Sequence, residues 1–206
     1  MENSIVGTYV INMQGQKYID KTREYLDYLE KHLQNVALAF EEVSEACDGM
    51  VWVGDDPSWC TIRTEVEAHD LSKFSVEEFV AYRQKFYPVE CEDVDKSKFA
   101  VAWEHHKKYN EHHHESVRYV PGEPGRTEWD IVHMVIDWTA MGYEFGDTAE
   151  TYYRANKERI NIQPEFDGFL AEVFTRIKRK QYKHRIKRVK HGVSQQIKTA
   201  WNIITK

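Results

Sequence analysis

Histidine and aspartate side chains fall on the apolar faces of several predicted helices in this chain of 206 residues. His32 interrupts a stripe of apolar residues that recur at three- and four-residue steps, which is the spacing of one helical face. His69 and Asp70 end a second stripe, and Asp137 lies within a third. A buried carboxylate without a partner is costly. Imidazoles and carboxylates that meet inside a bundle can instead share one or two divalent cations, and they suit Mn, Fe, Co, Ni or Zn.

A second group of histidines follows the first. His106 and His113 are seven residues apart, so we expect them on one face of a helix over residues 95–113, where they would complete a second cation site. A single histidine on an apolar face is more often a hydrogen-bonded core residue than a ligand. Recurrence on successive helices is what favours metal binding here. Supporting positions around the ligands are predicted for the neighbouring polar residues Asn110, His112, His114 and His133.

Helical periodicity continues along nearly the whole chain, so the predicted fold class is all-α, a helical bundle. The first helix is predicted over 17–46 and the second from near Pro57. Ser75 and Glu78 form a capping box that predicts the start of a third helix, and Thr127 is predicted to cap a fifth. Later helices are expected near 147–160, 164–182 and 194–204. Residues 50–53 could be a short strand or a buried loop, and 121–125 a loop.

Composition narrows the class of protein. No apolar run is long enough to span a membrane, and the three cysteines lack disulfide or zinc spacing, which indicates a reducing cytoplasm. The formal net charge is −6, yet residues 176–206 contain eleven Lys or Arg and no acidic residue. We therefore predict two parts, an acidic helical domain over 1–175 and a basic C-terminal helical extension over 176–206.

The order of these residues resembles the signature of HD-domain metal-dependent phosphohydrolases, in which a His is followed by His-Asp and then by a distal Asp. His32, His69-Asp70 and Asp137 match it, and the resemblance covers roughly residues 17–160. It extends to an uncharacterised HD-like family of bacteria and phages. Residues 69–74 also resemble the His-Asp-x-Gly-Lys segment of HD-GYP phosphodiesterases. However, Ser72 replaces the glycine and the Gly-Tyr-Pro loop is absent, so a cyclic-dinucleotide substrate is not expected.

The resemblance implies an HD-domain-like bundle that hydrolyses a small phosphorylated substrate, most simply a nucleotide, with a metal-activated water. His32, His69, Asp70 and Asp137 would hold the first cation, with Asp70 able to bridge to a second held by His106 and His113 or His112. Lys73 would bind the phosphate, or be a solvated lysine at a helix end. Glu115 or His114 would give a proton to the leaving oxygen or support a ligating histidine.

Two other classes of function stay open. A di-iron oxygenase of the HD fold uses much the same ligands. Alternatively, the protein is a non-catalytic nucleic-acid-binding or structural protein with a structural metal site. The basic segment 176–190 would then bind phosphates of DNA or RNA, although it could equally pack on the acidic domain or on another subunit of an oligomer.

Overall fold

The computed structural model describes residues 2–50, 59–116, 127–160 and 162–183, with side chains described from residue 13 onward. Every regular element in these ranges is helical, which confirms the all-α bundle. The helices are α1 (Glu2–Ala46), α2 (Trp59–Glu67), α3 (Phe79–Phe86), α4 (Lys96–Tyr109), α5 (Glu128–Phe145), α6 (Ala149–Asn156) and α7 (167–183). Single 3-10 turns cover Leu71–Phe74 and Pro164–Phe166. None of the helices described is long and apolar enough to cross a membrane.

Helix α1 joins two separate apolar clusters. Its middle, with Tyr25 and Leu29, packs with Tyr82 of α3 and Ala102 of α4. Its C-terminal half packs with α2, α5, α6 and α7 in the larger cluster, which includes Val36, Phe40, Val43, Ile131, Val135 and Val173. His32 lies on α1 between these two stretches. The sequence therefore places a polar side chain at the junction of two apolar clusters.

The predicted start of α1 at residue 17 is wrong, because the helix already begins at Glu2. The apolar stripe shows where the helix is packed. Residues 13–20 are exposed, although Lys17 pairs with Glu90 and Tyr18 contacts the Arg83 guanidinium. No proline occurs in residues 2–46, so α1 can continue beyond its packed part. The capping role of Thr127 in α5 is confirmed. Its hydroxyl accepts a hydrogen bond from the Asp130 backbone N–H, and the Asp130 carboxylate accepts one from the Thr127 backbone N–H.

Two predicted helix ends are also wrong. Ser75 does not cap α3, since its hydroxyl has no hydrogen-bond partner and Glu78 makes no capping bond. The Glu78 carboxylate instead binds two histidines of α4. Helix α4 ends at Tyr109, four residues before the predicted position. Asn110 is extended, and its amide donates to the His106 carbonyl at 2.8 Å, which caps the helix there.

Part of the basic extension packs on α1. Helix α7 crosses residue 175 without interruption, Lys180 pairs with Glu45, and the Arg176 guanidinium donates to the Asp48 carbonyl. These contacts favour packing on the acidic domain for residues up to 183. Four predictions lie outside the described residues: the strand or loop over 50–53 beyond Met50, the helix start near Pro57, the loop over 121–125 and the helix near 194–204. The division at residue 175 and nucleic-acid binding by 176–190 stay predictions.

A buried ion pair fixes the segment between α3 and α4. Arg83 forms a two-pronged contact with Glu92, at 2.6 and 2.5 Å, and both side chains are buried. The Arg83 hydrogen bonds lower the pKa of Glu92 to about 2, from an ordinary 4.5. The folded state therefore gains stability from the carboxylate above about pH 4.5, and this gain is lost as pH falls towards 2.

We expect Glu92→Gln to lower the free energy of unfolding at pH 7 by about 3 kcal/mol, because Arg83 is left buried without its counter-charge. The difference in Tm between wild type and variant should shrink as pH falls from 5 to 3. Thermal unfolding followed by circular dichroism at several pH values measures it. Glu90→Gln, at an exposed site, is the control. An equal loss in both variants would contradict the assigned role of the pair.

Candidate metal centre

Asp70 lies at the centre of the candidate site, in the turn that follows α2. Its backbone is left-handed, with φ 59° and ψ 10°, a conformation that costs most residues about 1 kcal/mol but that Asp and Asn adopt more readily. The side chain is 1% exposed. The turn thus directs a carboxylate into the junction between the two apolar clusters.

One oxygen of Asp70 faces a first group of ligands. Asp70 Oδ2 is 3.2 Å from His32 Nε2 and 3.6 Å from His69 Nε2. The two imidazole nitrogens are 3.2 Å apart. Asp137 Oδ1, from α5, is 3.6 Å from each of them. The donors of His32, His69 and Asp70 thus have the spacing of a cation site, and the Asp137 carboxylate of α5 lies beside the two imidazoles.

The spacing of these donors matches what a transition metal requires. Imidazole nitrogen and carboxylate oxygen bind zinc at about 2.0–2.2 Å, so the donors of a tetrahedral site lie about 3.3–3.6 Å apart. The separations among the donors of His32, His69 and Asp70 are 3.2, 3.2 and 3.6 Å. These three donors therefore fit a divalent cation, with Asp137 next to the imidazoles as a further carboxylate.

The other oxygen of Asp70 faces a second group. Asp70 Oδ1 is 3.3 Å from His106 Nε2 and 3.6 Å from His112 Nε2, and it accepts no hydrogen bond of good geometry. His113 Nε2 is 2.9 Å from His106 Nε2. Asp70, His106, His112 and His113 have the spacing of a second cation site. Asp70 can thus bridge two cations, one on each oxygen.

His113 reaches this second group from the turn that follows α4, not from α4 itself as its spacing predicted. His106 is on the last turn of α4, and the chain reverses at Asn110 before the three consecutive histidines. The same turn buries His112, which was predicted from the sequence as a supporting residue or as an alternative to His113. In the structure His112 is as close to Asp70 as the predicted ligands are.

The charges of the site favour a bound cation. Burial and the neighbouring Asp70 raise the pKa of Asp137, although His32 opposes this. Burial also disfavours the charge on Asp70, but the Lys73 ammonium 2.5 Å away and the imidazoles hold its pKa well below the ordinary value. The carboxyl groups of Asp70 and Asp137 thus lie close to each other with few positive charges to stabilise them. A divalent cation between them would supply that charge.

The pKa values of the imidazoles are shifted in two opposite directions. Burial lowers the pKa of His69 and His112 well below the ordinary value and that of His113 to about 3, so all three are neutral at pH 7 and can act as ligands. Burial opposes the charge on His106, but Asp70 and Glu78 outweigh it and raise its pKa. A cation in the second group therefore competes with a proton for His106 Nε2.

Glu78 supports the second group and was not identified from the sequence as part of the site. It is fully buried, and its two oxygens bind His106 Nδ1 at 2.8 Å and His105 Nδ1 at 2.6 Å. A carboxylate on the far nitrogen of a ligating histidine fixes the ring and its tautomer. No sequence pattern reveals this contact, because it joins residues 28 positions apart and the capping motif offered a local alternative.

A third histidine group has a different geometry. His69, His112 and His133 are close enough to hold an ion, but the rings of His69 and His112 are stacked, with centroids 3.9 Å apart and an angle of 23°. A metal lies in the plane of each ring that binds it, so nearly parallel rings cannot converge on one ion. His133 instead contacts His69 Nδ1 at 3.5 Å and Glu65 at 3.3 Å. It therefore lies beside His69, and its role as a supporting residue stays a prediction.

A cleft of about 630 Å³ opens onto these groups. Its lining combines His32, Asp70, Lys73, His112, His113 and Asp137 with the aromatic residues Tyr28, Trp103, Trp138, Phe145 and Tyr152, and with His114, Glu115 and Arg159. That volume is typical of sites for small molecules. The predicted proton donors Glu115 and His114 both face the cleft. Lys73 does too, but its ammonium is paired with Asp70.

Gly142 of α5 keeps one wall of the cleft in place. A Cβ there would lie 2.6 Å from the Asp147 carbonyl oxygen, so the backbone that leads into α6 would have to move.

We expect Gly142→Ala to destabilise the protein by about 1–3 kcal/mol, because backbone cannot yield as a side chain does. Gly168→Ala, in helical backbone with open space around it, should be neutral or stabilising. Thermal unfolding of both variants tests this, and equal stabilities would contradict it.

The comparisons with known proteins identify a family. A family of unknown function, DUF5662, matches residues 21–200, and the chain belongs to it. No curated protein and no solved structure gives a significant match.

Proposed function

We propose that this member of DUF5662 is a metal-dependent phosphohydrolase of the HD type, which acts on a nucleotide or a related phosphoester. The observation that supports the proposal most directly is the placement of Asp70. Its two oxygens face two separate groups of imidazoles, beside a cleft large enough for a small molecule.

The residues that would hold the cations are those already described. His32, His69, Asp70 and Asp137 would hold the first, and Asp70, His106, His112 and His113 the second. When bound, such cations lower the pKa of a water molecule and polarise a phosphoryl oxygen. Mn, Fe, Co, Ni and Zn all suit nitrogen and carboxylate donors.

The chain's own residues would carry the remaining work. In the reaction, the water oxygen forms a bond to phosphorus and gives up a proton to solvent, the bond to the leaving oxygen breaks, and that oxygen takes up a proton. Glu115 or His114, both at the cleft, would supply the proton. Lys73 lines the cleft beside Asp70, where its ammonium would contact a phosphoryl oxygen of the substrate.

Metal content tests the bridging role of Asp70. We expect two divalent cations for each wild-type chain, none in Asp70→Asn, and one in His106→Gln, because only Asp70 contributes to both groups. Asparagine is the appropriate replacement since it also tolerates the left-handed backbone. Elemental analysis after loading with Mn, Co or Fe gives the stoichiometry, and circular dichroism confirms folding. One retained cation in Asp70→Asn would contradict the bridge.

Activity is tested on the same preparations with a panel of nucleotides, cyclic nucleotides and simple phosphoesters. We expect Asp70→Asn to lose activity by about 100-fold or more. A metal-loaded wild type that hydrolyses no phosphoester would contradict the hydrolase. Substrate-dependent oxygen uptake by the iron form, with the absorption band of a mixed-valent iron pair, would support the oxygenase instead.

Glu78 gives a second test of the two-cation arrangement. We expect Glu78→Gln to weaken binding of one cation by about 10- to 100-fold and to leave the other unchanged, because Glu78 contacts only the second group, through His106. Titration with Mn, followed by calorimetry, separates the two affinities. The exposed neighbour Glu77 provides the control variant Glu77→Gln. Equal weakening of both cations would show that Glu78 acts on the fold as a whole.

A further inference from the structure

Arg159 lies on the cleft, and its guanidinium forms no ion pair with any residue in the described part of the chain. It lines the same cavity as the metal groups. Among the described residues, none forms an ion pair or side-chain hydrogen bond with its guanidinium, whereas the nearby Arg154 is paired with Glu150. Of the cations that line the cleft, Lys73 is paired with Asp70. Arg159 is therefore the cleft cation that is available to an anion from solution.

The turn that carries Arg159 is well fixed. The Arg159 backbone N–H donates to the Asn156 carbonyl at 2.8 Å, and so does that of Ile160 at 3.0 Å. Ile160 itself is buried in the larger apolar cluster. A guanidinium on such a turn loses less conformational freedom on binding than one on a mobile loop.

Aromatic rings connect the metal groups with Arg159. Trp138 directly follows the candidate ligand Asp137, and its ring lies 5.6 Å from that of Tyr152. The Tyr152 hydroxyl lies within the electrostatic influence of both Asp137 and Arg159. Tyr152 is 40% exposed and Phe145 71% exposed. One cleft thus combines carboxylates and imidazoles with aromatic faces and a guanidinium.

Two acidic residues on the cleft do not neutralise this subsite. The Asp147 carboxylate accepts a hydrogen bond from the Thr148 backbone N–H at 2.8 Å. Glu115 is exposed, and no ion pair joins it to Arg159 in the described part of the chain. Guanidinium binds carboxylate and phosphate groups with two parallel hydrogen bonds, which makes it selective for such anions.

We propose that Arg159 forms an anion subsite, so that the cleft selects phosphoesters that carry a planar ring and a second anionic group beyond the reacting phosphate. This inference rests on the proposed function for the identity of the reacting group. The preference for a second anion depends on Arg159 alone.

Adenosine 5′-monophosphate and adenosine 3′,5′-bisphosphate form a matched pair of probes, since they differ by one phosphate. Dissociation constants come from quenching of tryptophan fluorescence, and KM values are added where turnover occurs. We expect wild type to bind the bisphosphate about 10-fold more tightly. Arg159→Gln should abolish that preference and leave binding of the monophosphate unchanged, while Arg159→Lys should retain part of it. Arg154→Gln is the control and should behave like wild type.

The outcomes separate the two proposals. An Arg159-dependent preference without hydrolysis of any phosphoester would leave the subsite standing and overturn the hydrolase. Hydrolysis without a preference for the second phosphate, or with a preference that survives Arg159→Gln, would overturn the subsite. Equal weakening of both probes by Arg159→Gln would also overturn it, because the residue would then serve the reacting phosphate.

Discussion

The burial of the Asp70 carboxylate is the constraint on which the rest of the site depends. A carboxylate that is 1% exposed needs compensating charge or hydrogen bonds, since desolvation alone would cost several kcal/mol. The chain meets this need with one lysine and a set of imidazoles that come from four different segments. The left-handed turn at Asp70 is part of the same arrangement. Backbone strain of this kind persists where the surroundings fix it, and it is typical of functional sites.

The division of the core into two apolar clusters explains where such a site can exist. A single continuous core would have covered His32 with aliphatic side chains. Here Leu29 faces one cluster and Val36 the other, so one turn of α1 between them is left to polar contacts. Asp70, in the segment after α2, contacts this turn at His32, and so does Asp137 of α5. The first metal group is thus a consequence of how these two segments meet one long helix.

The sequence predicted most of what depends on periodicity. The inward faces of α1 and α5, and hence the placement of His32 and Asp137, follow from helical spacing alone. What depends on local competition was not predictable. Ser75 and Glu78 have the spacing of a capping box, yet Glu78 binds His105 and His106 because two charge-assisted bonds exceed one capping bond. His113 was assigned to α4 because periodicity cannot show that Asn110 closes the helix with its own amide.

The contacts of Glu78 and the early end of α4 also make the two metal groups different from each other. The first group draws its histidines from α1 and the Asp70 turn, and burial lowers the pKa of His69 well below its ordinary value. The second depends on a short turn after α4 and on His106, whose pKa Asp70 and Glu78 raise against the effect of burial. A proton on His106 and a cation in the second group compete for the same nitrogen. Acidic conditions therefore favour the proton, so the second group should lose its cation at a higher pH than an otherwise equal site without Glu78.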